Sequence, residues 1–206
     1  MSSDRLGAAL TKNPPPAAKA ALRAAALERR AGLSAADHAA FAARLAEVGL
    51  ARARQSPGVT AISLYSPLPG EPDVRPLLFA LAQAGFATLL PVTGRLGTPL
   101  TFRRWRPGEP LARGRMNIAE PPATAPAMDP DLMFVPLAAF DRRGHRIGYG
   151  AGFYDLSIAA VSARRPLRTI GIAFSVSEVA AVPHQDHDQR LDAVLTEREW
   201  IDCRGE

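Results

Sequence analysis

Leu132-Met133-Phe134-Val135 leads within a few residues into Phe140-Asp141-Arg142-Arg143-Gly144-His145-Arg146-Ile147-Gly148-Tyr149-Gly150-Ala151-Gly152-Phe153-Tyr154-Asp155. The first four residues form a continuous apolar run, the pattern of a strand buried on both faces. A helix is expected to begin around Gly152–Asp155. Strand, glycine-rich loop and helix in that order are the repeating unit of a parallel α/β sheet. The alternating Gly148, Gly150 and Gly152 let the backbone turn tightly and approach a ligand without Cβ obstruction. Backbone N–H groups ahead of a helix N-terminus make a phosphate cradle, and Arg142, Arg143 and Arg146 add positive charge beside it. The spacing is neither a Walker A loop, which needs Gly-Lys-Ser/Thr, nor the dinucleotide fingerprint. A glycine-rich turn alone is as often structural as functional. The arginines and the strand-loop-helix context favour phosphate.

Working outward, the same grammar continues. Residues 14–54 read as two helices: Pro14, Pro15 and Pro16 suit an entry, Ala17 to Ala31 follows, and Gly32 stops the first. Ser34 and Asp37 resemble a capping box, and Phe41, Leu45 and Val48 recur at helical spacing. Val59–Tyr65 is then expected as a strand, Asp73–Ala84 as a helix capped by Asp73, and Phe86–Leu90 as a strand. Further strands are expected at Leu100–Trp105, Arg168–Phe174 and, last, Asp192–Thr196, with a proline-rich loop over 121–130. The fold class is α/β, a three-layer α/β/α arrangement with a mostly parallel sheet preceded by N-terminal helices. One domain spans 1–206, with residues 1–16 as an arm. Ligands of such sheets lie at the strands' carboxyl ends, which makes 66–73, 136–155 and 174–190 the informative loops.

The chain has 206 residues, 47% of them hydrophobic and 22% charged, with mean hydropathy near zero. These are globular values; they exclude a disordered, collagenous or membrane-spanning chain. The net charge is +5. Lys12 and Lys19 are the only lysines, so 23 of the 25 basic residues are arginine. A basic chain invites a nucleic-acid reading, but aromatics are only 6% and no recognition helix, zinc finger or RNP pattern appears. Cys203 is alone, so neither a disulfide framework nor a thiolate metal site is expected. No secretory signal is evident and acidic residues interrupt any transit-peptide pattern, so the cytoplasm is the expected location.

Two other loops carry chemistry. In Pro183-His184-Gln185-Asp186-His187-Asp188-Gln189-Arg190 the two histidines lack a third strong ligand for zinc, whereas Mg²⁺ beside a nucleotide needs only one or two carboxylates. A solvated polar loop is the alternative. In Tyr65-Ser66-Pro67-Leu68-Pro69-Gly70-Glu71-Pro72-Asp73, Glu71 has no helical role. It either accepts hydrogen bonds from an N–H-rich ring such as a pterin or purine, or marks a charged surface turn. Phe102 and Trp105 are expected in the core rather than as ring-stacking residues.

Taken in order, these residues resemble the 5-formyltetrahydrofolate cyclo-ligase family over about residues 17–197. The resemblance is carried by Lys19-x-x-Leu22-Arg23, the Tyr65–Glu71 turn, Asn117-Ile118-Ala119-Glu120-Pro121, the Phe140–Asp155 segment, Pro183, His187-Asp188 and Asp192 to Glu197. It implies an enzyme that uses ATP, with Mg²⁺, to convert 5-formyltetrahydrofolate to 5,10-methenyltetrahydrofolate, ADP and phosphate. Lys19, Arg23 and Arg146-Ile147-Gly148-Tyr149-Gly150-Ala151-Gly152-Phe153-Tyr154 match nucleotide-binding positions. Ser66, Glu71 and Tyr149 to Phe153 match folate-contacting ones. Arg146 and Tyr154 become candidate catalytic residues, and Asp155 and Asp188 candidate Mg²⁺ ligands. Asp155 equally suits a first-turn acid stabilised by the helix dipole. Tyr149, Ala151 and Met116 depart from residues common in the family, which leaves open a divergent paralogue acting on another formyl or carboxyl compound. The expected partners are small molecules only, without nucleic acid or membrane, and a monomer is expected.

Overall fold

The computed structural model describes residues 16–205. The expected N-terminal arm falls almost wholly outside them. Two helices come first, α1 (Pro16–Ala31) and α2 (Ala35–Arg54). Ser34 caps α2 in a complete capping box with Asp37, as the sequence anticipates. Then follow β1 (Ala61–Ser63), α3 (Arg75–Gln83), β2 (Ala87–Val92) and β3 (Thr101–Arg104). The short strands β4 (Ala112–Arg113) and β5 (Ala119–Glu120) form a separate pair. β6 (Leu132–Pro136) precedes a small hairpin of β7 (Ala139–Phe140) and β8 (Arg146–Ile147). The chain continues through α4 (Phe153–Ser162), β9 (Arg168–Ile172), β10 (Ala193–Leu195) and β11 (Trp200–Asp202).

The main sheet runs β11-β10-β9-β6-β1-β2-β3, parallel in the middle with an antiparallel strand at each edge. Helices cover both faces. Phe41 and Leu45 of α2 and Leu77, Leu78 and Leu81 of α3 pack on one side against Ile62, Phe134 and Ile172. Ile158 and Val161 of α4 pack on the other against Met133, Val135 and Val194. Alternate residues of β6 therefore feed opposite cores, and each such side chain contributes roughly 1.5–3 kcal/mol by burial.

Two expectations change. Asp192–Thr196 does not hold the last strand: β11 folds back on β10 through a turn closed by Thr196 N–H to Glu199 O (2.9 Å). Three residues are too few to show a strand period, and the pairing comes from the turn. Asp73 is not the cap of α3, which starts after Val74. Its carboxylate accepts from Arg75 N–H (3.0 Å), two residues further on.

β1 has β2 on one side and β6, β9 and β10 on the other. The loops leaving β1 and β6 therefore diverge, which opens a crevice at the carboxyl ends of these strands. The opposite ends are closed by carboxylates. Asp131 Oδ2 accepts from Thr60 N–H, Ala61 N–H and the Thr60 hydroxyl (2.8, 2.8 and 3.0 Å).

Candidate active site

The crevice is a cleft of about 800 Å³. All fifteen candidate residues named from the sequence line it, namely Lys19, Arg23, Ser66, Glu71 and the run Arg146–Asp155, together with Asp188. They come from three divergent loops and from α1. Lys19 and Arg23 are one turn apart and project from one face of α1. Lys19 Nζ pairs with Asp188 Oδ2 at 2.5 Å, and Arg23 Nε donates to Gly148 O at 2.7 Å. α1 is thereby laid across the glycine-rich loop.

The loop takes its shape from Asp141, which is fully buried. Its Oδ1 accepts from the N–H groups of Arg143 (3.0 Å) and His145 (3.2 Å), and its Oδ2 from Val182 N–H (2.9 Å). The β7–β8 turn is so fixed to the segment that leads to Asp188. Beyond β8, Gly150 (φ +101°) and Gly152 (φ +70°) occupy the left-handed half of backbone space. Gly152 is the N-cap of α4. Among the described residues, none accepts from the backbone N–H groups of Tyr149 to Gly152, which leaves donors beside a helix N-terminus.

Arg146 is the buried cation of the cleft, its side chain 4% exposed. Nη2 donates to Asp155 Oδ1 at 2.8 Å, and Nη1 donates to Gln189 O. Burial pulls the guanidinium below its ordinary range, opposed by Asp155 and Asp188. Gln189 N–H also donates to Asp155 Oδ1 at 3.0 Å, which ties Asp155 to the residue after Asp188, and both carboxylates act on Arg146. Burial pushes the Asp188 carboxyl upward, but Lys19 and Gln185 N–H outweigh it and hold it below the usual range.

The cleft also has apolar lining. Leu68, Pro91, Leu100, Ile118, Phe153 and Leu156 contribute to it, and Glu71 is a buried carboxylate among the lining residues. Burial lifts Glu71 above the usual carboxylate range, against the Leu68 N–H, the Tyr149 hydroxyl and Arg30. Burial likewise raises Tyr154, with Glu71 adding to the effect and Arg146 opposing it. The Ser66 hydroxyl donates to Ala119 O (2.6 Å) and so ties the Asn117–Pro121 run to the loop after β1.

Some sequence expectations are corrected. Arg142 and Arg143 do not add charge to the loop's ligand face. Arg142 points outward to Glu178 and Glu199, and Arg143 is tied back to Asp141. The tight turn around Gly144 reverses the chain between them and Arg146. His184 stacks on His145 (centroids 3.7 Å apart) and does not line the cleft. No group of three or more metal-ligating side chains forms among the described residues. As expected, Phe102 is core, and Trp105 packs on the core with Nε1 donating to Glu109 O (3.0 Å). Arg30 went unnoticed in the sequence, although it shares the helical stripe of Lys19 and Arg23.

The sequence model of the 5-formyltetrahydrofolate cyclo-ligase family matches residues 15–197. The chain belongs to this family. Cyclo-ligase relatives include the 5-formyltetrahydrofolate cyclo-ligase of Mycolicibacterium smegmatis, 32% identical over 148 residues that cover 68% of this chain and 75% of the relative. The Escherichia coli cyclo-ligase is 31% identical over 140 residues, 66% of this chain and 76% of its own length. Among solved structures, the NMR structure of Aquifex aeolicus 5,10-methenyltetrahydrofolate synthetase superposes with a TM-score of 0.71 at 26% identity. It covers 91% of this chain and 94% of that one. The protein is an enzyme of the cyclo-ligase kind. No helix among the described residues is long and apolar enough to cross a membrane.

Proposed function

We propose that this cyclo-ligase closes 5-formyltetrahydrofolate to 5,10-methenyltetrahydrofolate at the expense of ATP, releasing ADP and phosphate. One observation carries the reading: a single cleft is lined both by the cations Lys19, Arg23 and Arg146 with the N–H-rich Tyr149–Gly152 loop, and by apolar side chains with the buried Glu71 carboxylate. The first suits a triphosphate and the second a pterin-type ring.

The chemistry needs ATP because an amide-like formyl oxygen is a poor nucleophile and, once expelled, a poor leaving group. Attack of that oxygen on the γ-phosphorus breaks the bond to the β-phosphate oxygen and releases ADP. The result is a phosphorylated imidate. N10 then attacks the formyl carbon, its proton is lost, and phosphate departs with the C–O electron pair as the ring closes. No covalent enzyme intermediate is required. The chain's contribution is positioning and charge stabilisation, at the level usual for phosphoryl transfer. Arg146, held by Asp155 and Gln189, is preorganised for the transferring phosphoryl group. Tyr154, kept protonated, offers a neutral hydroxyl beside it. Lys19 and Arg23 hold the nucleotide phosphates, and Ser66 and the Tyr149–Phe153 segment border the folate.

Asp155 and Asp188 fit Mg²⁺: two partly exposed carboxylates on one cleft match an ion that keeps waters and phosphate oxygens as its other ligands. Bound there, the ion would neutralise charge developing on the transferred phosphate. When phosphate oxygens arrive, Lys19 and Arg146 have anions other than these carboxylates to pair with.

The test follows absorbance of the methenyl product, with 5-formyltetrahydrofolate, ATP and Mg²⁺ each omitted in turn. Product only in the complete mixture supports the reading. No product from folded, ATP-binding protein overturns the folate assignment and favours a divergent substrate, and product without ATP overturns the phosphorylation step.

A further inference from the structure

α1 carries a third cation. Arg30 follows Arg23 by seven residues and so lies on the same stripe as Lys19 and Arg23, but unlike them it is enclosed, 7% exposed. Its Nη1 donates to the Tyr149 hydroxyl at 3.0 Å. A Cβ built on Gly70 would stand 3.8 Å from Arg30 Nη2 and 3.9 Å from Nε, so the guanidinium lies against the turn that presents Glu71. Glu71 is 6% exposed, and its Oε2 accepts from Leu68 N–H at 2.8 Å. The same hydroxyl also faces the Glu71 carboxylate. Among the described residues no carboxylate forms an ion pair with Arg30, and the charge that faces it is that of Glu71, beyond the tyrosine. The other groups facing Glu71 are the hydroxyls of Tyr65, which donates to Pro72 O at 3.0 Å, and of Tyr154.

A buried carboxylate stays ionised near neutral pH only where a counter-charge offsets its lost hydration. Ionised, it accepts hydrogen bonds with both oxygens; protonated, it presents an O–H donor that opposes a ligand's N–H groups. We propose that Arg30 is a positioning residue which, acting through the Tyr149 hydroxyl, fixes Glu71 as an ionised acceptor for the N–H edge of the folate ring. This rests on Glu71 contacting that ring. Arg30 then touches neither substrate, yet governs the affinity of one and not the other.

Losing the Arg30 charge raises the proton affinity of Glu71. The ionised fraction therefore falls first at low pH and recovers as pH rises. The experiment measures KM for 5-formyltetrahydrofolate and for ATP across pH in the wild type, Arg30→Met, Arg30→Lys and Tyr149→Phe. For Arg30→Met the acidic limb of the folate KM profile moves up by about one pH unit. This gives at most roughly a tenfold higher KM on the acidic limb, shrinking to none as pH rises, because one pKa unit is tenfold in protonation. KM for ATP and kcat at saturating folate stay within about twofold. Arg30→Lys restores most of the limb, and Tyr149→Phe shifts it in the same direction. Should Arg30→Met not fold, the Arg30→Lys and Tyr149→Phe profiles carry the same comparison. A folate KM raised equally at every pH, or raised together with that for ATP, overturns the positioning role and leaves the function standing. No methenyl product from the wild type overturns both.

Discussion

Alanine substituted singly for Gly148, Gly150 and Gly152 separates a loop that needs glycine for its own shape from one that needs it for a ligand. In the free protein an alanine Cβ meets nothing within 4 Å at Gly148 or Gly152, and at Gly150 only the tip of Arg23, at 3.7 Å. Sterically all three are tolerated. Conformationally they differ: Gly150 (φ +101°) and Gly152 (φ +70°) lie where an L residue is strained, and Gly148 does not. The strain is about 1–3 kcal/mol per site. In a chain of this size it lowers Tm by roughly 2–12 °C if the loop keeps its course. If the loop relaxes, it reappears as a smaller population of the binding-competent form and a Kd for nucleotide raised roughly 5- to 150-fold. Gly152 is held at the start of α4, with its carbonyl accepting from Leu156 N–H at 3.2 Å, so Gly152→Ala is expected to lower Tm. Gly150 lies between that anchor and the Arg23–Gly148 bond, so Gly150→Ala is expected to act on nucleotide affinity. Gly148→Ala carries no strain: its Tm stays at the wild-type value, and any loss of affinity reports phosphate approaching the backbone. The assays are thermal unfolding and calorimetric titration with a non-hydrolysable ATP analogue in Mg²⁺. Wild-type affinity in both Gly148→Ala and Gly150→Ala would refute the phosphate cradle and leave the glycines a purely structural role.

Asp155→Asn is expected to lower kcat/KM for ATP roughly 10- to 150-fold, the value of a charged hydrogen bond of about 1.5–3 kcal/mol, while KM for folate holds. Glu71→Gln should do the reverse, and steady-state kinetics unchanged in both variants would mean that the assigned roles are wrong. Asp131→Ala strands the N–H groups of Thr60 and Ala61 at the end of the sheet remote from the cleft. It should cost at least about 2 kcal/mol, a Tm drop of roughly 4–8 °C, and a Tm within a degree of wild type would exclude that accounting. Burial, and then His184, hold the His145 imidazole below its ordinary range, with Arg190 and Arg143 adding to this and Asp141 opposing it. The unfolded chain thus binds that proton more tightly, so stability is fully present above about pH 6.5 and falls as the pH drops below it. Tm measured from pH 8 to 5 should slope less in His145→Gln than in the wild type; parallel slopes would remove His145 from the acid response.

What could be read in the sequence was local. The apolar run at 132–135, the Ser34–Asp37 box and the glycine-rich turn before Phe153 are set by residues within a few positions of one another, and each formed close to where it was expected. Fifteen of the residues that line the cleft were legible too, as a set of motifs. Their meeting in one cleft was not, because it follows from strand order: β1 and β6 are neighbours, and their loops part to either side. What each side chain does there depends on partners far along the chain. Lys19 reaches Asp188, Arg23 reaches Gly148 and Arg30 reaches Tyr149, contacts spanning 169, 125 and 119 residues. No periodicity records such pairings. For the same reason three neighbouring arginines, alike in sequence, took different roles. Arg146 is buried in the cleft, while the turn around Gly144 sends Arg142 outward and ties Arg143 back to Asp141. Neighbouring residues along the chain were enough to define the elements and the chemistry available to them. Which charges are buried, and against what, came from tertiary packing, since burial and counter-charge exist once distant segments have packed together.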